Sequence, residues 1–450
     1  MAANRPNVVL VFGDQWRAQA TGFGGGAQVR TPHLDRLAAE SIHFTHAVSG
    51  CPVCSPARAS LMTGQYPVTH GVFVNDVCLS ETATSLGQAF SGAGYDTAYI
   101  GKWHIDGHGR SNVIPPERRQ GFSDYWKVLE CTHNYNDSHY YSGDSEERIA
   151  WEGYDAFSQT RDAQQFIRDR EGTRPFLMAL SWGPPHAPYH TAPPEFQELY
   201  RADEIELRPN VPESHAEQAR EWLAGYYAHC TALDRCVGDL LQTVEEEGIG
   251  QETIFLFFSD HGDMLGSQGK VKKQQPWEES IRVPFLLRYP QMFGTGGREV
   301  DALIDIPDIM PTLLGLCEIP VPETVEGLDF SGLVRGGEDP SDGAALLSCP
   351  HPFGQWYKEL GGREYRGLRT GRYTYVRSLD APWLLFDNEE DPYQLRNLVS
   401  GEEHGDLLAE LDLHLMRRLD AIGDEFLTGT EYVERWGYTV DERGTVPYTG

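Results

Sequence analysis

Residues 7–15 read NVVLVFGDQ: an unbroken apolar run, a glycine, then an acid and an amide. A short run without polar alternation is how a strand reads when it is buried on both faces, and both faces are covered chiefly in parallel sheets flanked by helices. The pattern recurs in DTAYIG (96–101), PFLMALSW (175–182), TIFLFF (253–258) and VPFLLRY (283–289), each bounded by turn residues and separated by helix-like segments. The expected class is therefore α/β, with a mostly parallel sheet between helices.

Between the third and fourth runs, residues 214–248 open on a capping-box pattern at Ser214 and Glu217 and close at Gly248. Trp222, Leu223, Tyr226, Leu233, Val237, Leu240, Leu241 and Val244 form one stripe, which predicts a long helix packed on the sheet. After about residue 340 the texture changes to YRGLRTGRYTYVRS and PWLLFDNEEDPYQLRNL, with an amphipathic helix near 403–421. The expectation is a catalytic domain over 1–340 and a smaller α+β subdomain over 341–450 containing an antiparallel sheet. The tail from 428 to 450 has no strong periodicity, and no internal repeat is visible.

The 450 residues carry 67 acids against 37 lysines and arginines, a formal charge of -30 with no basic run. That excludes nucleic acid and anionic membrane as natural partners. An anionic substrate would need a locally basic pocket, which gives weight to the lysines inside motifs. The start, MAANRPNVVLVFGDQ, holds neither a signal-peptide core nor a span, so the chain as given is expected to be cytoplasmic. The eight scattered cysteines do not form a disulfide framework.

Ligands of open α/β sheets bind beyond the carboxyl ends of the strands. There the sequence puts Asp14-Gln15, Lys102-Trp103-His104, Pro185-His186 and Asp260-His261-Gly262-Asp263. A lone aspartate after a strand is ordinarily a turn or a cap. Four strand ends delivering oxygen ligands, imidazoles and a lysine together point to a site. Asp14, Gln15, Asp260 and His261 supply mostly hard donors, suited to Ca2+, Mg2+ or Mn2+.

Residues 51–64, CPVCSPARASLMTG, pose a separate question. A redox reading of Cys51 and Cys54 would need a thioredoxin-like βαβ context, and a zinc reading a second cysteine pair; neither is present. From Cys54 onward the stretch resembles the C-x-P-x-R signature of the type I sulfatases, with its downstream Thr63-Gly64. The resemblance continues through NVVLVFGDQWRAQATG, TPHLDRLAAESIHFTHAVS, GYDTAYIGKWHI, SWGPPHAPY, FFSDHGDMLGSQGKVKKQQPWEESIRVPFLLRYP and YRGLRTGRYTYV, nearly the whole chain. It implies an alkaline-phosphatase-like fold and hydrolysis of a sulfate monoester, of a sulfated small molecule or saccharide.

By that resemblance a maturation enzyme, the formylglycine-generating one, oxidises Cys54 to formylglycine, and Cys51 is incidental. The hydrated aldehyde has two hydroxyls: one attacks sulfur, and the other expels sulfate by re-forming the aldehyde. Asp14, Gln15, Asp260, His261 and the modified Cys54 would hold one divalent cation, Ca2+ first, with Mn2+ or Mg2+ as alternatives because Gln15 and His261 replace an acid and an asparagine found in many members. Arg58 would contact the diol, Lys102 and Lys273 would clamp sulfate, His104 would take the proton that triggers release, and His186 would protonate the leaving alcohol. Lys270 and Lys272 read as solvated charge. Asn75 matches a polar position near the sulfate, with a turn role as the alternative. Residues 132–141, 351–359 and Arg363 are the substrate-side candidates. The rival readings are a phosphonate monoester hydrolase or phosphodiesterase of the same superfamily, a choline-sulfatase-like enzyme, and a catalytically dead sugar-binding relative.

Overall fold

Along Asn7–Asp14 (β1), Val8, Leu10 and Phe12 enter one hydrophobic cluster while Val9 and Val11 enter another on the opposite side. This is why the run shows no alternation: both faces of the strand are covered. The computed structural model describes residues 5–170 and 174–448.

The other strands of the large sheet are β2 (Ile42–Phe44), β3 (Asp96–Lys102), β4 (Tyr125–Leu129), β5 (Ser138–Ser142), β6 (Ile149–Trp151), β7 (Phe176–Pro185), β8 (Thr253–Ser259), β9 (Phe285–Arg288) and β10 (Arg298–Val300). Their order is β10-β2-β9-β8-β1-β7-β3-β4-β5-β6. The centre is parallel, β8 with β1, β1 with β7, β7 with β3 and β3 with β4. The fifth apolar run is β9, which pairs antiparallel with both β8 and β2.

Helices cover both faces. On one side lie Asp155–Arg168 and Ala216–Glu246, which supply Ala163, Ile167, Leu223, Leu233 and Val237. On the other lie Cys54–Thr63 and Ile306–Leu316, which supply Ala57, Leu61, Ile309 and Leu313. Each buried leucine, isoleucine or valine among these stabilises by about 1.5–3 kcal/mol.

The long helix matches the expected stripe, but its start differs. Glu213–His215 form a 3-10 turn and the α-helix begins at Ala216 without a side-chain cap. The Ser214 hydroxyl instead meets His215 Nδ1 at 3.0 Å, within a turn that the His215 N–H closes onto the Pro212 carbonyl.

The second sheet is fully antiparallel, β11 (Ala344–Cys349), β12 (Tyr365–Thr370), β13 (Tyr373–Ser378) and β14 (Pro382–Asp387) in sequential order. Gly405–Ala421 packs on it through Leu411, Leu415 and Leu419. The tail was not legible as regular structure, yet it holds the helix Gly429–Trp436, closed by a capping box of Thr428 and Glu431.

No helix among the described residues is long and apolar enough to cross a membrane.

Candidate active site

The four central strands end on the same edge, and their ends converge on Cys54. This residue opens the helix Cys54–Thr63, which stops at Gly64 with φ 65, the left-handed conformation a helix C-terminus often requires. The N–H of Ser55 donates to Asn75 Oδ1 at 3.1 Å, so Asn75 fixes the helix N-terminus that carries the cysteine.

Asp14, at the end of β1, is fully buried and accepts from Lys102 Nζ at 2.6 Å and from Arg58 at 3.2 Å. Arg58, one helical turn beyond Cys54, also meets Asp260 Oδ2 at 3.2 Å and donates to Ser181 Oγ at 2.7 Å. Burial works against the ionised form of Asp14, but Lys102 foremost holds its carboxyl well below the usual range. Asp260 is pushed up to about 6 by burial and by Asp14. The cationic groups are set apart correspondingly: desolvation opposes their charge, while Asp14 raises Lys102 and Asp260 raises Arg58.

Lys273 Nζ lies 3.0 Å from Cys54 Sγ, 3.0 Å from Gln15 Oε1 and 2.8 Å from His186 Nε2. An ammonium only donates, so His186 Nε2 accepts and its Nδ1 carries the proton given to the Ala187 carbonyl at 2.8 Å. Burial, Lys273 and His133 keep His186 well below the ordinary imidazole range. The ring of His133 stacks on that of His186 at 4.6 Å, which brings one of the substrate-side candidates of segment 132–141 against the site.

His261 Nδ1 meets the Gly262 carbonyl at 2.9 Å, which aims Nε2 at Cys54 Sγ (3.1 Å) and Asp14 Oδ1 (3.6 Å). Burial alone would lower this imidazole, but Asp260 and Cys54 raise it overall. One ligand atom each from Asp14, Cys54, Asp260 and His261 lie within 4.8 Å of one another. Asp260 Oδ2 is buried without a directed hydrogen bond. Two carboxylates and an imidazole pinned through its other nitrogen fit a divalent cation. Gln15 sits at the rim: its amide donates to Asp263 Oδ2 at 2.5 Å while its oxygen faces Lys273. A second trio, Cys78, Asp106 and His108, has similarly close ligand atoms, but Arg118 already engages both oxygens of Asp106.

The Cys54 thiol is held well below its usual range: burial and Asp14 oppose ionisation, and Lys273, Lys102 and His261 overcome them. Cys51 is pushed up to about 12 by burial, which the charge of Arg366 and a hydrogen bond with Ser348 do not overcome. His104 stands one layer back from Cys54, 3.5 Å from Asp76. Desolvation would lower it, but Cys131 and Asp76 raise it well above the ordinary value, while Cys131 is in turn drawn down to about 7 with His104 as the leading favourable charge. Nothing in the sequence singled out Cys131 or Asp76, and His133 was covered only as part of the candidate segment 132–141. Cys131 follows β4 next to the end of β3, a register that only pairing between the strands reveals. Of the lysines read as surface charge, Lys272 instead lines a cavity beside the site, because its backbone takes a left-handed turn at φ 58.

Gln15, Asp76, His104, Lys272 and Gln274 all have positive φ. Such strain gathers where side chains are held for function rather than for stability.

The family described as Sulfatase matches residues 6–319, and the one described as N-sulphoglucosamine sulphohydrolase, C-terminal, matches 266–421. The chain is 43% identical to the ulvan-active sulfatase of Formosa agariphila over 99% of this chain and 87% of that protein. It is 32% identical to the endo-4-O-sulfatase of Bacteroides thetaiotaomicron, over 95% of this chain and 94% of the relative. The crystal structure of the Bacteroides fragilis protein yidJ superposes with a TM-score of 0.85 at 30% identity, covering 96% of this chain and 98% of the other. With its central strands ending in a buried cluster around Cys54 and these likenesses running the length of the chain, the protein belongs to the sulfatase family, as a sulfuric ester hydrolase of alkaline-phosphatase-like fold.

Proposed function

We propose that the enzyme hydrolyses a sulfate monoester on a carbohydrate, using a formylglycine made from Cys54 and one divalent cation, Ca2+. The observation that carries this reading is the position of Cys54 Sγ, 3.0 Å from Lys273 and 3.1 Å from His261 at the opening of a helix. Two of the relatives above are named for activity on ulvan or as an endo-4-O-sulfatase, which supports a saccharide as substrate.

In this reading Lys102 and Lys273 bind the sulfate oxygens and stabilise the charge that develops on them. Arg58 braces Asp14 and Asp260 and keeps the helix opening in register with the strand ends. His186 is neutral before substrate arrives. An anionic ester beside Lys273 offsets the positive field on the imidazole, so Nε2 gains the proton it delivers to the leaving oxygen. His104 would take the proton that frees the enzyme from sulfate once it is neutral, a state favoured by the positive field of Lys102 and of a bound cation and opposed by Cys131 and Asp76. The cation, held by Asp14, Gln15, Asp260, His261 and residue 54, would supply a Lewis acid and a template for the sulfate oxygens. The formylglycine hydrate would supply a nucleophile with its own exit, the re-formed aldehyde. We also propose residue 340 as the division between the catalytic part and the C-terminal subdomain, tested by limited proteolysis.

The deciding experiment uses protein co-produced with a formylglycine-generating enzyme. It compares kcat/KM on aryl sulfate, sulfated oligosaccharide, aryl phosphonate and phosphate diester, with Cys54→Ala as blank. Preference for the sulfates is expected. Preference for the phosphorus esters would leave the nucleophile in place and overturn the substrate class. Mass spectrometry of the peptide spanning residue 54 reads the modification directly. Metal analysis after chelation and exposure to Ca2+, Mg2+ and Mn2+ together reads the ion, and preferential uptake of either alternative would overturn Ca2+.

A further inference from the structure

A cavity of about 630 Å3 opens beside the catalytic cluster. Two stretches of its lining adjoin that cluster along the chain: Ala187 and Pro188 follow His186, and Lys272 precedes Lys273. Tyr189, Tyr200 and Trp222 give it an aromatic lining. Tyr189 and Trp222 approach with ring centroids 6.5 Å apart, and the Tyr189 hydroxyl is fixed by Asp263 at 2.6 Å. Such rings present flat apolar surface to the CH faces of a sugar while their positions stay fixed.

Lys272 is the cation of this wall. No hydrogen bond or ion pair engages its ammonium among the described residues, although the side chain is only partly exposed. Burial lowers it and Lys273 adds to that shift, while Asp263 and Cys54 oppose it through space without engaging the ammonium directly. Glu221, in the same lining, is engaged by Gln218 at 3.0 Å. A positive φ of 58 at Lys272 costs conformational energy, which its placement in this wall would explain. In a chain of formal charge -30, an unpaired, partly desolvated ammonium next to the reaction centre calls for an anion.

We propose that this cavity is a second saccharide subsite, holding the sugar residue next to the sulfated one, and that Lys272 pairs with an anionic substituent, a carboxylate or a further sulfate, on that residue. The proposal rests on the carbohydrate reading above and adds to it a requirement for a second negative charge.

The test uses the mature, metal-loaded enzyme and its Lys272→Gln, Lys272→Arg and Trp222→Ala variants. Four substrates are compared: an aryl sulfate, a sulfated disaccharide with a neighbouring hexuronate, the methyl ester of that disaccharide, and a disaccharide whose neighbouring residue is itself sulfated. Lys272→Gln should leave the aryl sulfate unchanged and raise KM about tenfold on a charged disaccharide. It should have no effect on the methyl ester, and Lys272→Arg should restore the charged substrate. Trp222→Ala should raise KM on every disaccharide. An effect on the hexuronate alone identifies a carboxylate, and an effect on the disulfated compound alone identifies a sulfate. Equal loss on all four substrates would place Lys272 in the catalytic machinery and overturn the subsite, as would unchanged KM on every disaccharide. Failure of the carbohydrate reading looks different: wild-type turnover of aryl sulfate with no disaccharide turnover and no heat of binding to Cys54→Ala, which overturns both.

Discussion

In the proposed mechanism Cys54 supplies the nucleophile, and its replacement by alanine is expected to reduce sulfate ester turnover by about 10^3-fold or more while leaving the fold intact, read by steady-state kinetics and circular dichroism. Lys273→Ala removes an ammonium that touches both Cys54 and His186, so a loss of about 10^2–10^3 in kcat is expected with a smaller change in KM. Asp155 offers a test unrelated to catalysis. It sits buried at the first turn of its helix, and burial pushes it up to about 8 against the hydrogen bonds of Ser138 and the Ala156 backbone. Its folded value lies above its unfolded value of about 4, so its contribution to stability is full below pH 4 and is lost as pH rises through 8. Asp155→Asn should therefore gain in Tm relative to wild type between pH 5 and pH 9, and a constant difference would contradict this.

At the level of elements, helix ends are where local chemistry decides most. Gly64 closes the helix that carries Cys54 at φ 65, and an added Cβ would meet Val325 Cγ1 at 2.8 Å. Gly64→Ala should cost about 1–2 kcal/mol in denaturant unfolding, since both the backbone and the space disfavour it. The sheet centre was legible in the sequence because β1, β3, β7 and β8 are apolar on both faces and each ends in a chemically distinctive residue, Asp14, Lys102, His186 or Asp260. The short strands at or next to the edges were not: Ile42–Phe44, Ile149–Trp151 and Arg298–Val300 have three residues each, too few for any period to show. The helix Gly429–Trp436 was missed although Thr428-x-x-Glu431 spelled its cap, and the pattern at Ser214 and Glu217 was read as a cap although Pro212 had already committed the chain to a tight turn. A capping motif is thus informative only with the turn chemistry before it. Within the site, Cys131 lay outside sequence reasoning because tertiary register alone brings it to His104, and of His133, in the candidate segment 132–141, the stacking on His186 was not legible.

On the scale of the molecule, a formal charge of -30 surrounds a cluster that contains Arg58, Lys102 and Lys273. Long-range repulsion should slow the approach of an anionic ester, so kcat/KM is expected to rise on moving from low salt to about 0.1 M, where the screening length falls to about 10 Å, before short-range contacts weaken. A monotonic fall with salt would mean that the local field dominates encounter. The two sheets are also mechanically joined at the site. Gln274, next to Lys273, exchanges side-chain hydrogen bonds with the backbone of Phe353 at 2.9 and 3.1 Å, and its carbonyl accepts from the Tyr365 hydroxyl at 2.9 Å. The partners that seat Lys273 are therefore made by the ribosome long after Cys54 has emerged. Until they arrive the cysteine segment has no finished wall over it, whereas in the folded protein Cys54 is 1% exposed. The order of synthesis thus opens a window for any enzyme that must reach this thiol, and the folding of the C-terminal sheet shuts it.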